Sequence, residues 1–172
     1  MTQGDAAAPS AEPSVEFHAG EGCLAAVDRQ ALSTLMRALL PHFPQKVLRV
    51  DALLVGDAAM SALHQRYSGV QGTTDVLSFP GHDGAAVDGR IEVDLIISVE
   101  VAMREATLRG HAIEQEILLY AVHGTLHACG LTDDTEASAL VIHAHEDRIL
   151  CAGGFGSVYA AKVRQPPLGP MH

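Results

Sequence analysis

The sequence predicts an α+β fold, a small mixed β-sheet of about four strands packed against about five helices. Three observations lead there. About four short runs are rich in branched and aromatic residues, and about five longer segments carry apolar residues at helical spacing. These elements follow one another without the strict βαβ rhythm of a doubly wound sheet. At 172 residues the chain fits one compact domain.

Residues 1–14 read as a disordered tail, 15–155 as a single domain and 156–172, ending Q-P-P-L-G-P-M-H, as a loose C-terminal tail. Val15–His18 forms a short predicted strand. Val27–Leu40 places Leu32, Leu35, Met36, Leu39 and Leu40 on one helical face before Pro41 and Pro44 end it. Val47–Val55 alternates as a strand, and Asp57 is placed to cap a helix reaching about Arg66, closed by Ser68-Gly69. Thr74–Phe79 and Ile91–Ser98 are two further strands, joined by a Gly- and Asp-rich loop from Gly81 to Gly89 that is a candidate lid or binding edge. Ser98 caps a helix to about Leu108, Ile113–Ala128 is the longest apolar helix, and Asp134 is placed to cap a last helix ending near Cys151.

The formal charge of −10, from 11 Lys+Arg against 21 Asp+Glu, argues against nonspecific binding to nucleic acid. Three widely spaced cysteines, Cys23, Cys129 and Cys151, do not form the framework of a disulfide-rich secreted domain. The start of the chain lacks the basic and apolar regions of a signal peptide, and no apolar run is long enough to span a bilayer. A cytoplasmic protein with no membrane partner is expected.

The chemistry is concentrated in H-G-T-L-H-A-C-G-L-T-D, residues 123–133. His123 and His127 are four apart, so on a helix they share one face and can bind one ion through two imidazoles. Gly130, where the helix should end, can take a left-handed conformation and turn Asp133 toward the same point. Three ligands leave a coordination position open, which is the mark of a catalytic rather than a structural zinc and implies hydrolysis. The competing reading makes the histidines half-buried helix residues and Asp133 a helix cap, and Cys129 is either a ligand or a packing residue. Zinc peptidases with H-E-x-x-H carry a glutamate general base after the first histidine, but here that position is Gly124, so a base would have to come from elsewhere, for example from Glu146.

On these residues the chain resembles the YbeY family, single-domain bacterial endoribonucleases and maturation factors for ribosomal RNA, with a signature near H-G-x-L-H-L-x-G-Y-D-H. His123, Gly124, Leu126, His127 and Gly130 match it, and the family segment T-D-V-L-S-F-P stands intact as residues 74–80. Asp94–Ser98 and a last helix with Ala139, Ile142, Glu146, Ile149 and Leu150 are similar to further family features, so the resemblance covers roughly residues 47–151. It implies an α+β fold, one zinc per chain at His123, His127 and Asp133, and cleavage of single-stranded ribosomal RNA precursors in rRNA maturation and ribosome quality control. Ribosomal proteins and a ribosome-associated GTPase are the implied protein partners.

Two departures bear on mechanism. The third ligand, commonly histidine in the family, is Asp133, which lowers the charge of the site, makes its water less acidic and admits harder divalent ions. The family's Y-R-G turn, whose arginine the resemblance assigns to RNA or the transition state, is Tyr67-Ser68-Gly69, and its K-D-K is Val70-Gln71-Gly72. Ser68 therefore occupies the catalytic position, and Arg66 either substitutes or is a solvated residue in the last turn of a helix. The alternative function is an assembly or RNA-binding factor with a mainly structural metal. A facial triad of a non-haem iron oxygenase also has two histidines and a carboxylate, but the helical pair followed by a Gly turn favours zinc.

Overall fold

The computed structural model describes residues 12–23, 25–81 and 89–159. Among them are four strands, β1 (Ser14–Ala19), β2 (Lys46–Val55), β3 (Val76–Pro80) and β4 (Arg90–Ser98). Five α-helices accompany them: α1 (Arg29–Leu39), α2 (Asp57–Ser68), α3 (Val99–Arg109), α4 (Ile113–Ala128) and α5 (Glu136–Ala152). The sheet order is β1-β2-β4-β3, with β1, β2 and β4 parallel and β3 antiparallel to β4. This is the mixed sheet and helix count read from the sequence. Residues 82–88 of the candidate lid, and residues 1–11 and 160–172 of the expected tails, lie outside the described residues. No described helix is long and apolar enough to cross a membrane.

Alternation along the strands builds the core. On β4, Ile91, Val93, Leu95 and Ile97 are buried, and Val50, Ala52 and Leu54 continue the same layer on β2. The opposite sheet face carries a charged cluster, with the Arg49 guanidinium on the carboxylates of Asp51, Glu92 and Asp94. Pro80 ends the edge strand β3, where a missing N–H costs least.

Two expected caps are corrected. The cap of α2 is Gly56 rather than Asp57, because a Cβ at position 56 would lie 2.6 Å from the carbonyl oxygen of Gly22. Asp57 becomes the first helical residue, free to accept from side chains. The cap of α5 is Thr135 rather than Asp134, since Thr135 and Ser138 satisfy each other's backbone N–H groups in a capping box. Ser98 caps α3 as expected, accepting from the Val101 N–H at 3.3 Å.

Helix α4 is the centre of the molecule. Its residues Ile117 through Val122 are all buried, so it has no solvent face along this stretch. It packs on β3 and β4, with α1, α3 and α5 around it. Its N-cap, Ala112, makes no side-chain capping bond. Burial, worth about 1.5–3 kcal/mol for each fully enclosed Leu or Ile, therefore fixes this helix where capping does not. Gly124 permits the close approach: a Cβ there would meet Ser78 Oγ at 2.6 Å and Leu95 Cδ2 at 2.7 Å.

Candidate metal centre

The last turn of α4 carries His123 and His127 at helical spacing, and the chain then reverses. Gly130 has φ +88°, Leu131 N–H donates to Leu126 C=O at 3.1 Å, and Gly130 N–H donates to His127 C=O at 2.9 Å. These two bonds are the Schellman arrangement, in which a left-handed residue lets the chain turn back over its own helix. The turn returns Asp133 to the histidines, with its carboxylate oxygens 3.7 Å from His123 Nε2 and 3.7 Å from His127 Nε2. Asp133 is not a helix cap. The donor atoms of His123, His127 and Asp133 all lie within 4.8 Å of one another, as a shared ion requires.

Both imidazoles are oriented by a second partner. His127 Nδ1 lies 2.9 Å from Leu131 C=O, and because a carbonyl only accepts, Nδ1 carries the proton. His123 Nδ1 lies 2.5 Å from Glu146 Oε1, a carboxylate with no solvent exposure. Both protons are thus on Nδ1, which leaves two Nε2 lone pairs facing each other at 2.9 Å. Two lone pairs at that distance repel, and a shared cation or an added proton removes the repulsion. Zinc bonds of about 2.0–2.2 Å at tetrahedral angles place donors roughly 3.3–3.6 Å apart. The 2.9 and 3.7 Å separations here bracket that spacing. Burial pushes the His123 pKa down, but the hydrogen bond and charge of Glu146, with Asp75 and Asp133, outweigh it and hold it above its ordinary value.

Glu146 therefore does not occupy the position of a peptidase base; it holds the far side of His123. Position 124 faces β3 and β4, so the glutamate of a zinc peptidase would not fit there. Cys129 is buried outside the donor cluster, and burial raises its thiol pKa to about 11. It packs.

Beside His123 and Asp133 opens a cavity of about 550 Å³. Thr73, Thr74 and Asp75 form one side, α3 contributes Arg104 and Arg109, and His143 and Tyr159 close another. The last two rings stack at 3.8 Å, so packed structure continues a few residues beyond 155. Asp75, within the intact 74–80 segment, is held by Val76 N–H at 2.8 Å and Thr74 Oγ1 at 3.1 Å. Arg109 Nη1 lies 2.9 Å from Oε1 of the fully buried Glu116, an ion contact without hydrogen-bond alignment, and His111 Nε2 meets the other oxygen at 2.5 Å. Burial, together with the charge and hydrogen bond of Glu116, raises the Tyr120 pKa, so its phenol stays protonated.

Arg66 and Ser68 sit elsewhere. Both are exposed at the end of α2, Arg66 lies over the Tyr67 ring at 5.5 Å, and Tyr67 packs edge-on against Phe79. Neither lines the cavity. Sequence reasoning passed over Arg104, Arg109 and Glu116, because their convergence depends on how α3 packs against α4. One signal was available: Glu116 is a charge within a helix of otherwise apolar spacing, which calls for buried partners.

Fold and site together define a small α+β protein with a candidate metal centre at the C-terminal end of its central helix. The profile of the family described as endoribonuclease YbeY matches residues 23–153. An endoribonuclease YbeY from Moorella thermoacetica is 37% identical over 140 residues, covering 74% of this chain and 90% of that protein. One from Pelotomaculum thermopropionicum is 32% identical over 133 residues, covering 70% and 88%. A solution structure of a Thermotoga maritima protein shares the fold with TM-score 0.51 at 19% identity, over 91% of this chain and 99% of that one. The chain belongs to the endoribonuclease YbeY family, as its two motifs implied.

Proposed function

We propose that this protein is a zinc-dependent, single-strand-specific endoribonuclease acting on ribosomal RNA precursors in the cytoplasm, in rRNA maturation and ribosome quality control. Family membership supports the endoribonuclease activity. The observation that carries the metal dependence is the pair of Nε2 atoms at 2.9 Å whose Nδ1 protons are both committed to other partners. His123, His127 and Asp133 would hold one zinc, with other divalent ions admitted by the carboxylate. When bound, the ion supplies Lewis acidity toward a phosphoryl oxygen and activates a water.

The rest of the work falls to the chain. Glu146 and Leu131 C=O keep both histidines in the tautomer that presents Nε2 to the ion. The cavity beside them takes one stretch of an extended strand. Asp75 offers a second carboxylate at its wall, and the protonated Tyr120, turned to Glu116, adds no charge there. Ribosomal proteins and a ribosome-associated GTPase are the proposed partners that bring the substrate.

The test is cleavage of a single-stranded RNA oligonucleotide by zinc-loaded protein, with a duplex of the same sequence and a His123→Ala variant as controls. Cleavage of the single strand alone, lost in the variant, is expected. Equal cleavage by His123→Ala contradicts the reading, and RNA binding without metal-dependent cleavage favours the assembly-factor alternative.

A further inference from the structure

Position 68 holds serine, and Arg66 is turned onto Tyr67, so the α2 turn brings no guanidinium to the cavity. Phosphodiester cleavage spreads negative charge over phosphoryl oxygens, and in a chain of net charge −10 a cation beside the metal is a specific requirement. Two arginines line the cavity, and they differ in what they have free.

Arg109 is committed. One Nη faces the fully buried Glu116 at 2.9 Å and the other reaches Glu105 at 3.4 Å, so its charge neutralises a carboxylate that has no access to water. Arg104 is half-exposed and meets Asp57 end-on, Nη1 to Oδ2 at 2.7 Å and Nη2 to Oδ1 at 3.2 Å. That fork uses two of the five N–H donors of a guanidinium and leaves the edge carrying Nε. Asp57 is itself fixed at the start of α2, where it also accepts from Ser98 Oγ at 3.3 Å and its N–H donates to Glu100. The guanidinium is therefore preorganised by a carboxylate, with a bidentate edge remaining.

We propose that Arg104 is the phosphate-binding residue of this site, its free edge contacting a backbone phosphate of single-stranded RNA laid between α3 and the His123–Asp133 centre. The proposal rests on the RNA-cleaving reading above. The cavity of about 550 Å³ is large enough for one nucleotide unit, within the roughly 300–1,000 Å³ typical of ligand pockets. Asp57, Glu100 and Glu105 surround Arg104 and lower the local potential. The contact is consequently one of orientation and hydrogen bonding more than of long-range attraction. Lysine, a point charge without the planar edge, should replace it poorly.

The test uses zinc-loaded full-length protein and its Arg104→Gln and Arg104→Lys variants. Binding of a single-stranded 2′-O-methyl RNA oligonucleotide is followed by fluorescence anisotropy over a salt series, with cleavage of the unmodified RNA measured in parallel. Arg104→Gln is expected to weaken binding about tenfold, to reduce the slope of log K against log salt by about 0.7, the value for one phosphate on a single strand, and to keep stoichiometric zinc. Cleavage should fall on the order of 10²-fold in Arg104→Gln, and Arg104→Lys should recover the slope but not the rate. A merely structural Arg104–Asp57 pair would shift the melting temperature and leave the slope unchanged, and that result overturns the proposal. Wild-type cleavage that Arg104→Gln leaves intact overturns it while the nuclease reading stands. Arg104-dependent binding by a wild type that cleaves nothing refutes the nuclease reading instead, and absence of RNA binding by the wild type refutes both.

Discussion

Replacing Glu146 by glutamine keeps the volume and an acceptor oxygen but removes the charge that His123 Nδ1 meets at 2.5 Å. A hydrogen bond to a charged group is worth about 1.5–3 kcal/mol and a neutral one about 0.5–1.5 kcal/mol, so the exchange weakens the hold on His123 by roughly 1–2 kcal/mol. The second glutamine atom, an NH₂, also lands where Glu146 Oε2 has no hydrogen-bond partner among the described residues. Loss of an orienting partner behind a metal-bound histidine typically costs 10–100-fold in affinity, or about 1.4–2.7 kcal/mol, consistent with that range. Glu146→Gln should therefore lower zinc affinity by about one order of magnitude or more, measured by competition with a chelator of known affinity. The melting temperature of the metal-free variant should move by only a few degrees, since about 1 kcal/mol corresponds to about 2–4 °C at this chain length. Zinc affinity within about threefold of wild type, on the same scale, would refute the orienting role.

Gly124→Ala should destabilise the protein, because overpacking costs about 1–3 kcal/mol against a gain of up to about 1 kcal/mol in helix propensity; thermal melting of Gly124→Ala, with and without Ser78→Ala to make room, checks this. In the metal-free protein, the raised pKa of His123 contributes stability that is fully present below the unfolded value near about 6.5 and lost as pH rises through the higher folded value. Denaturant titrations across pH 5–9 (roughly the histidine range) should show this decline in wild type and a flatter profile in Glu146→Gln. Arg66→Ala should change RNA cleavage by no more than about threefold, and Ser68→Arg should raise it with a steeper salt dependence; an Arg66→Ala loss on the order of 10²-fold would return that residue to the catalytic machinery.

The grouping of the three candidate ligands was legible in the sequence because all of it is local. Two histidines one helical turn apart, a glycine at the helix end and an aspartate three residues on are spacings, and the Schellman turn at Gly130 converts them directly into geometry. The strands were legible for the same reason, since alternation along Val47–Val55 and Ile91–Ser98 records one buried face. The caps of α2 and α5 were misplaced by one residue because they were decided by neighbours: the backbone of Gly22 forces glycine at 56, and Ser138 completes the box with Thr135. The role of Glu146 was half visible. It lies on the stripe of Ile142, Ile149 and Leu150, and a carboxylate on a buried stripe needs a partner, but only the packing of α5 against α4 shows that the partner is His123. The cationic wall was not legible, because α3 and α4 meet through tertiary contacts that leave no period in the sequence.

The central claim is that His123, His127 and Asp133 form one metal site, and elemental analysis of the purified protein with its ligand variants tests it most directly. Wild type should carry one equivalent of a divalent ion, with zinc the ion taken up in competition. His123→Ala and His127→Ala should carry none while keeping wild-type circular dichroism, because both ligands sit at a helix end and not across the core. Asp133→Asn should lose most of its metal, and Asp133→His should retain zinc. Full metal content in either folded histidine variant would contradict the account.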